Sequence, residues 1–218
     1  QKIIKRKKLV KYCLIVLLVF IFINFLFTVD FYFKAKTLIS SLKEVKTSFS
    51  QKDFGKVKSG VAKAKVSMKK ASSSYKRLSW LRVIPFLGGY VKDGLHVVNA
   101  GNEGLALAGT SITIIEPYSD LLGFSGGTGA SGAEKAEDRI NFLVSTISDI
   151  IPQLDKIVEG IGKIDKELAQ INPRKYPIKV FGKPVRNKLE AGLTSFAEIF
   201  SFLKNGKPLV KEMPYLLG

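Results

Sequence analysis

Residues 12–29 read YCLIVLLVFIFINFLFTV, a run of 18 residues without a charged side chain. Fourteen of them are Leu, Ile, Val or Phe, and only Tyr12, Cys13, Asn24 and Thr28 interrupt the run. At about −0.3 to −0.6 kcal/mol each, those apolar side chains favour membrane insertion by about 4 to 8 kcal/mol. A helix of this length rises about 27 Å, close to the thickness of a bilayer's hydrocarbon core. The sequence therefore predicts a transmembrane helix over residues 12–29.

Six cations and no acid precede this run. They are Lys2, Lys5, Arg6, Lys7, Lys8 and Lys11. Because positive charges beside a span are retained on the cytoplasmic side, we expect residues 1–11 to form a basic cytoplasmic tail. Lys5, Arg6, Lys7, Lys8 and Lys11 then flank the membrane, and everything after Asp30 lies outside. A cleaved signal peptide is the competing interpretation, but bulky residues follow the run where small ones are needed for cleavage.

The rest of the chain shows helical periodicity. Apolar residues spaced by three and four predict that the membrane helix continues to about Ser50 and that three further helices follow. These are a second helix from Phe54 to Leu78, a third from about Tyr90 to Glu116 and a fourth from Ala133 to Ile171. The seam positions are Phe31, Ala35, Leu38, Leu42, Val45 and Phe49, then Phe54, Val57, Val61, Ala64, Met68, Ala71, Tyr75 and Leu78, then Gly94, Val98, Gly101, Leu105, Ala108, Ile112 and Ile115.

Breaks between these segments divide the chain. A flexible Gly-rich loop is predicted at 117–132, a Pro/Gly connector at 172–184, and a last helix from about Val185 to Lys204 within a C-terminal segment 185–218. Only residues 178–181 are a possible strand. The predicted fold is all-α: an N-terminal transmembrane helix that continues into an elongated antiparallel helix bundle, coiled-coil-like, over residues 30–171.

The residues that most enzymes and metal sites use are scarce. There is one His, His96, and one Cys, Cys13. The loop Gly127–Gly132 matches the dinucleotide motif G-x-G-x-x-G, but no strand precedes it, which favours a linker. Acid pairs such as Asp165 and Glu167 fall on positions predicted to face solvent. We therefore predict no catalytic residues, no cofactor and no metal site.

The distinctive feature is positive charge. The formal net charge is +17, and ten cations face one acid, Asp53, between Gln51 and Arg82. Four of the cations recur every seven residues along the second helix and line one side of it: Lys56, Lys63, Lys70 and Arg77, called here the cationic stripe. One interpretation is a surface for anionic wall polymers or lipid headgroups; few aromatic residues interleave, so nucleic acid is disfavoured. The other is a solvated face partly balanced by acids of the fourth helix.

The order of these pieces resembles a bacterial membrane-protein family, the domain of unknown function 4012 proteins. Three stretches carry the resemblance: Gln51-Lys52-Asp53-Phe54, the run Leu78 to Gly88 (LSWLRVIPFLG), and the terminal Met213 to Gly218 (MPYLLG). The shorter pieces Gly101 to Gly109 and Ile164 to Pro173 also resemble that family's landmarks. The resemblance implies a single-span cell-envelope protein whose helical region precedes a further domain, so that this chain is a fragment.

From these observations we expect a non-catalytic, membrane-anchored helical stalk or interaction module outside the bacterial plasma membrane. Two alternatives stay open: a sensory ectodomain of a transmembrane receptor, and the non-catalytic part of an envelope enzyme whose active site lies downstream. Heptad seams also serve packing between chains, so a homo-oligomer is possible.

Overall fold

The computed structural model describes residues 2–119, 123–124 and 153–217. Five α-helices dominate these ranges. Helix α1 covers Lys2–Ser50, α2 Phe54–Lys76, α3 Gly88–Ile115 and α5 Arg186–Leu217, and residues 153–168 belong to α4. The all-α prediction is thus confirmed. Most of the predicted Gly-rich loop 117–132, and the fourth-helix prediction before residue 153, lie outside the described residues.

Helix α1 is a single helix of 49 residues. Residues 10–23 on it are all exposed, whereas Ser41 and Ser48 further along are buried against α2. Within the described ranges α1 is also the one helix long and apolar enough to cross a membrane, with a mean hydropathy of 2.8 in its most apolar window. The predicted continuation of the apolar helix to Ser50 is confirmed.

Helices α1 and α2 form an antiparallel hairpin. The turn ends at Asp53, whose side chain accepts a hydrogen bond of 2.9 Å from the backbone N–H of Lys56 and so caps α2. Further down the hairpin, the hydroxyl oxygens of Ser41 and Ser67 are 3.4 Å apart. Their small side chains allow the two helices to approach closely.

The seam predicted for α2 is confirmed, since its six positions from Phe54 to Ala71 are all buried. The seam predicted for α1 is only partly right. Leu42 and Phe49 are 42 % and 61 % exposed, and the face pressed on α2 is rotated toward Ser41 and Ser48. Periodicity locates an apolar stripe on a helix, but close packing favours the smallest side chains beside it.

Helix α3 returns along α2 and completes the core. Ala64 and Met68 of α2 pack with Val98 and Leu105 of α3 in one buried cluster. The two helices approach closely at a small residue, since a Cβ on Gly101 would lie 2.8 Å from Met68 Cε. Helix α4 then descends antiparallel to α3, because a Cβ on Gly160 would touch Leu107 while Glu167 contacts His96.

Two short connections lie at the same end of the bundle, called here the basal end. A 3-10 helix, Ser79–Val83, links α2 to α3, and a 3-10 turn, Pro173–Lys175, follows α4. The predicted connector 172–184 contains a two-stranded antiparallel hairpin, β1 Lys179–Val180 and β2 Lys183–Pro184. Strand β1 lies inside the possible strand 178–181, whereas β2 lies outside it.

Helix α5 corrects one boundary. It was predicted to end near Lys204, yet it continues through Pro208 to Leu217. A proline removes one backbone hydrogen bond from a helix, and the good helix formers that follow, among them Leu, Lys, Glu and Met, allow the helix to continue beyond it.

Candidate functional site

The cationic stripe lies along the outside of α2, and three of its four members have an acidic neighbour. Lys63 Nζ is 2.8 Å from Glu44, Lys56 Nζ is 3.0 Å from Asp53, and one Arg77 nitrogen is 3.9 Å from Asp30. All four side chains are exposed. Salt bridges this exposed contribute little stability, so they reduce the charge of the stripe without fixing it in place.

In the described part of the chain the acids that neutralise the stripe come from α1 and from the cap of α2. Four of the eight acids of the predicted fourth helix, all before residue 153, lie outside the described residues. Lys70 has no acidic partner within 4 Å among the described residues. Because α2 rises about 1.5 Å per residue, the stripe extends about 32 Å from Lys56 to Arg77, parallel to the bundle axis.

The Arg77 end of the stripe is the most structured. Asp30 accepts hydrogen bonds from Lys34 Nζ, at 2.7 Å, and from the hydroxyl of Ser74. These two hydrogen bonds lower the pKa of Asp30 from its usual value, and the bond from Lys34 has the larger effect. The Arg77 guanidinium carbon is also 6.0 Å from the centroid of the Phe27 ring, a cation–π contact with the last part of the predicted span.

A second candidate is a buried polar cluster around Asp93, which is 1 % exposed. Its two carboxylate oxygens face Lys175 Nζ at 3.5 Å and the Tyr176 hydroxyl at 3.3 Å. The Tyr90 hydroxyl donates to the Lys175 carbonyl at 2.9 Å, and Arg186 donates to the Tyr176 carbonyl at 2.8 Å. The Asp93 cluster therefore fastens the connector after α4 to the start of α3.

The phenols of Tyr176 and of the nearby Tyr75 are held in their neutral form. Burial, with the Asp93 charge as a further cause, raises the pKa of Tyr176 to about 12 and also raises that of Tyr75. The Tyr75 hydroxyl donates to the Val91 carbonyl at 3.0 Å. A protonated phenol donates a hydrogen bond but cannot act as a base, so the cluster is suited to holding structure.

Sequence reasoning missed Asp93, although one signal was present. Asp93 is the only acid between Asp53 and Glu103, in a stretch rich in cations. A single carboxylate among many cations is a candidate for a buried ion pair. The prediction for Glu167 was also wrong, because its carboxylate is 2.7 Å from His96 Nδ1 and accepts from the Asn99 amide at 3.3 Å. His96 lies within α3 and its side chain is half-buried.

The other predicted positions are placed as follows. Lys5, Arg6, Lys7 and Lys8 belong to the first turns of α1, and Lys11 is exposed. The loop 127–132 lies outside the described residues. Among the residues that are described, no group of three His, Cys, Asp or Glu side chains could hold a metal ion.

An apolar groove of about 540 Å³ runs between α1 and α3 above α2. Its walls are aliphatic and aromatic, from Phe31 near the span to Leu105 and Ala108 on α3. No polar groups converge in its lining, so the groove has the character of a packing surface and lacks the features of a reaction site.

Fold and site together define a helical protein with one N-terminal helix apolar enough to span a membrane and a basic surface along the bundle. No family model, no curated protein and no solved structure matches the chain.

Proposed function

We propose that this chain is a membrane-anchored helical stalk of the bacterial cell envelope, non-catalytic, with its tail in the cytoplasm and the bundle outside. It serves as an interaction module that holds a partner or a further domain away from the bilayer. The resemblance to the domain of unknown function 4012 proteins supports the envelope assignment, and family membership itself stays a prediction.

One observation carries the proposal: the apolar segment and the first bundle helix are the same helix. All side chains from residue 10 to residue 23 are exposed, and most of them belong to the 18-residue run that lacks a charge. In water such a surface would be strongly unfavourable, whereas lipid covers it. From Asp30 to Ser50 the same helix packs on α2, so the span and the stalk are joined without a hinge.

The orientation follows from charge. Six cations precede the span and Asp30 follows it, the asymmetry that retains the N-terminus in the cytoplasm. The stripe then points away from the membrane along the bundle. Only its Arg77 end lies near headgroups, and Lys56, Lys63 and Lys70 are presented to anionic polymers of the envelope.

The anchor is tested by extracting membranes from cells that express the chain with alkaline carbonate. We expect the native chain to stay with the membrane pellet. The matched variant carries Leu14→Asp, Leu17→Asp and Leu18→Asp, three exposed positions whose acids cost about 2.5 to 3.5 kcal/mol each and cancel the insertion energy. This variant should be released. Release of the native chain would contradict the anchor.

The polymer contact is tested separately with a poly(glycerol phosphate) and the full chain in detergent. Lys70→Glu should weaken binding about fivefold or more, since one cation near an anionic surface contributes about 1 kcal/mol. Lys36→Glu, the same charge change on an exposed site of α1, is the control. Equal effects of both variants would mean that only net charge matters and that the stripe is a solvated face.

A further inference from the structure

The basal end of the bundle exposes large apolar side chains where water-soluble bundles have polar turns. In the loop between α2 and α3, Val83 is 75 % exposed and Phe86 is 95 % exposed. Phe86 also has a φ of 68°, the left-handed region that Gly or Asn normally occupies. The loop thus holds Phe86 in an unfavourable backbone conformation, with its side chain exposed to the surroundings.

The hairpin in the connector shows the same feature. Phe181, at its tip, is 100 % exposed with a φ of 47°, and Ile178 is 56 % exposed. The hairpin belongs to the same end of the molecule, because the Tyr176 ring packs edge-on against the Tyr90 ring at 5.2 Å. Two separate connections at the basal end therefore each present an exposed phenylalanine.

The position of this end relative to the span is given by one contact. Trp80 packs edge-on against Phe20, with 4.8 Å between the ring centroids. Phe20 lies nine residues before Val29, the last residue of the charge-free run, which is about 14 Å along a helix. If residues 12–29 cross the bilayer, Trp80 and the loop after it reach below the membrane surface.

Charge around the tips complements an anionic surface. No acid occurs between Asp53 and Asp93 or between Glu167 and Glu190, and Asp93 itself is buried. The segments that carry or flank the two tips hold eight exposed cations: Lys76, Arg77, Arg82, Lys92, Arg174, Lys175, Lys179 and Lys183. Apolar tips flanked by long cationic side chains are typical of elements that bury in the outer part of a bilayer while their charges reach the headgroups.

We propose that the basal end is a second membrane contact, in which the tips at Phe86 and Phe181 insert into the outer leaflet and the flanking cations bind anionic lipid headgroups. This proposal rests on the proposed function, because the depth of the tips in the bilayer is inferred from the position of the transmembrane segment. A second copy of the chain is a poorer occupant, since two basal ends of the same strong positive charge repel each other. The contact fixes the bundle on the membrane surface at more than one point.

Because Trp80 is the only tryptophan, single reporters can be placed at the tips. The full chain with Trp80→Phe is combined with Phe86→Trp or with Phe181→Trp and reconstituted into phosphatidylcholine/phosphatidylglycerol vesicles. Both reporters should be quenched by lipids brominated in their acyl chains and shielded from acrylamide. Phe202→Trp in the same background is the matched control: position 202 is 76 % exposed on α5, and its reporter should show the opposite response.

Two results would overturn the inference while the anchor stands. If the tip reporters respond to acrylamide as strongly as the control does, the tips lie in water. If both quenchers fail, protein covers the tips.

The anchor is checked in the same vesicles with Leu18→Cys in a Cys13→Ser background, which should resist a membrane-impermeant maleimide. Labelling of that cysteine would reject the span, and the depth argument would fail with it. Native-like helix content by circular dichroism is required of every variant.

Discussion

Asp93 is the most tightly constrained polar residue of the bundle. A carboxylate that is 1 % exposed must be hydrogen-bonded, and its partners Lys175 and Tyr176 come from a connector 82 and 83 residues further on. The cluster therefore links α3 to a connector that is distant from it in the chain. The Tyr176 hydroxyl donates to the Asp93 carboxylate, and the Tyr90 hydroxyl donates to the backbone of Lys175.

Replacing the carboxylate tests this link. Asp93→Asn should lower the free energy of unfolding by about 1–3 kcal/mol, because the donors Lys175 and Tyr176 lose a charged acceptor. Urea unfolding in mild detergent, followed by circular dichroism, measures the change. Glu159→Gln is the control: its pair with Lys163 is exposed on both sides, and the unfolding midpoint should not move. Equal behaviour of the two variants would show that the Asp93 cluster adds no stability.

The phenol of Tyr176 gives a pH dependence. Its pKa is raised from 10.0 to about 12, so between those values the unfolded chain has lost a proton that the folded chain keeps. The contribution to stability is complete below pH 10 and is lost as the pH rises toward 12. Because the pKa of Tyr75 is raised as well, titration of tyrosinate absorbance should show more than one late-ionising phenol. Tyr176→Phe should reduce the absorbance change near pH 12, whereas Tyr32→Phe, at an exposed position, should not. An unchanged absorbance step near pH 12 in Tyr176→Phe would contradict the assignment.

At the scale of elements, small residues set how closely the helices pack. A Cβ on Gly94 would collide with the Tyr75 hydroxyl, whereas a Cβ on Gly89 meets nothing within 4 Å. Gly94→Ala should therefore destabilise the bundle by about 1–3 kcal/mol, and Gly89→Ala on the same helix should not. Thermal unfolding of both variants compares them directly. Equal stability of the two would place α2 and α3 further apart than described.

The register of the α1–α2 hairpin is testable by crosslinking. Ser41→Cys with Ser67→Cys, in the Cys13→Ser background, should form a disulfide on mild oxidation because the native hydroxyl oxygens are 3.4 Å apart. Ser41→Cys with Ser74→Cys, seven residues out of register, should stay reduced. Electrophoresis after thiol blocking distinguishes the two pairs. A disulfide in the second pair alone would mean that the hairpin has another register.

How much of this the sequence foretells depends on the range of the interactions. The seam of α2 and the cap at Asp53, where α2 begins, are local, since they follow from periodicity and from a capping side chain. The Trp80–Phe20 contact and the Asp93 cluster join segments far apart in the chain, and no periodic pattern encodes them. The same holds for Ser41 and Ser48, which are polar in sequence but buried because α2 approaches there.

At the scale of the whole molecule, α1 organises everything else. Its 49 residues extend about 73 Å, enough for a hydrocarbon core of about 30 Å and a stalk of similar height. Helix α2 packs on its outer half, α3 packs on α2, and α4 packs on α3. The proposed envelope role requires that this one helix is both the membrane anchor and the first helix of the bundle.

The most direct test is cysteine labelling along α1 in intact cells with a membrane-impermeant maleimide. Single cysteines replace Gln51, in the turn at the far end of α1, and Leu18, in the middle of the span, in the Cys13→Ser background. The account predicts that Gln51→Cys is labelled in intact cells and that Leu18→Cys is not labelled even after lysis without detergent. Labelling of Leu18→Cys, or labelling of Gln51→Cys only after lysis, would contradict it.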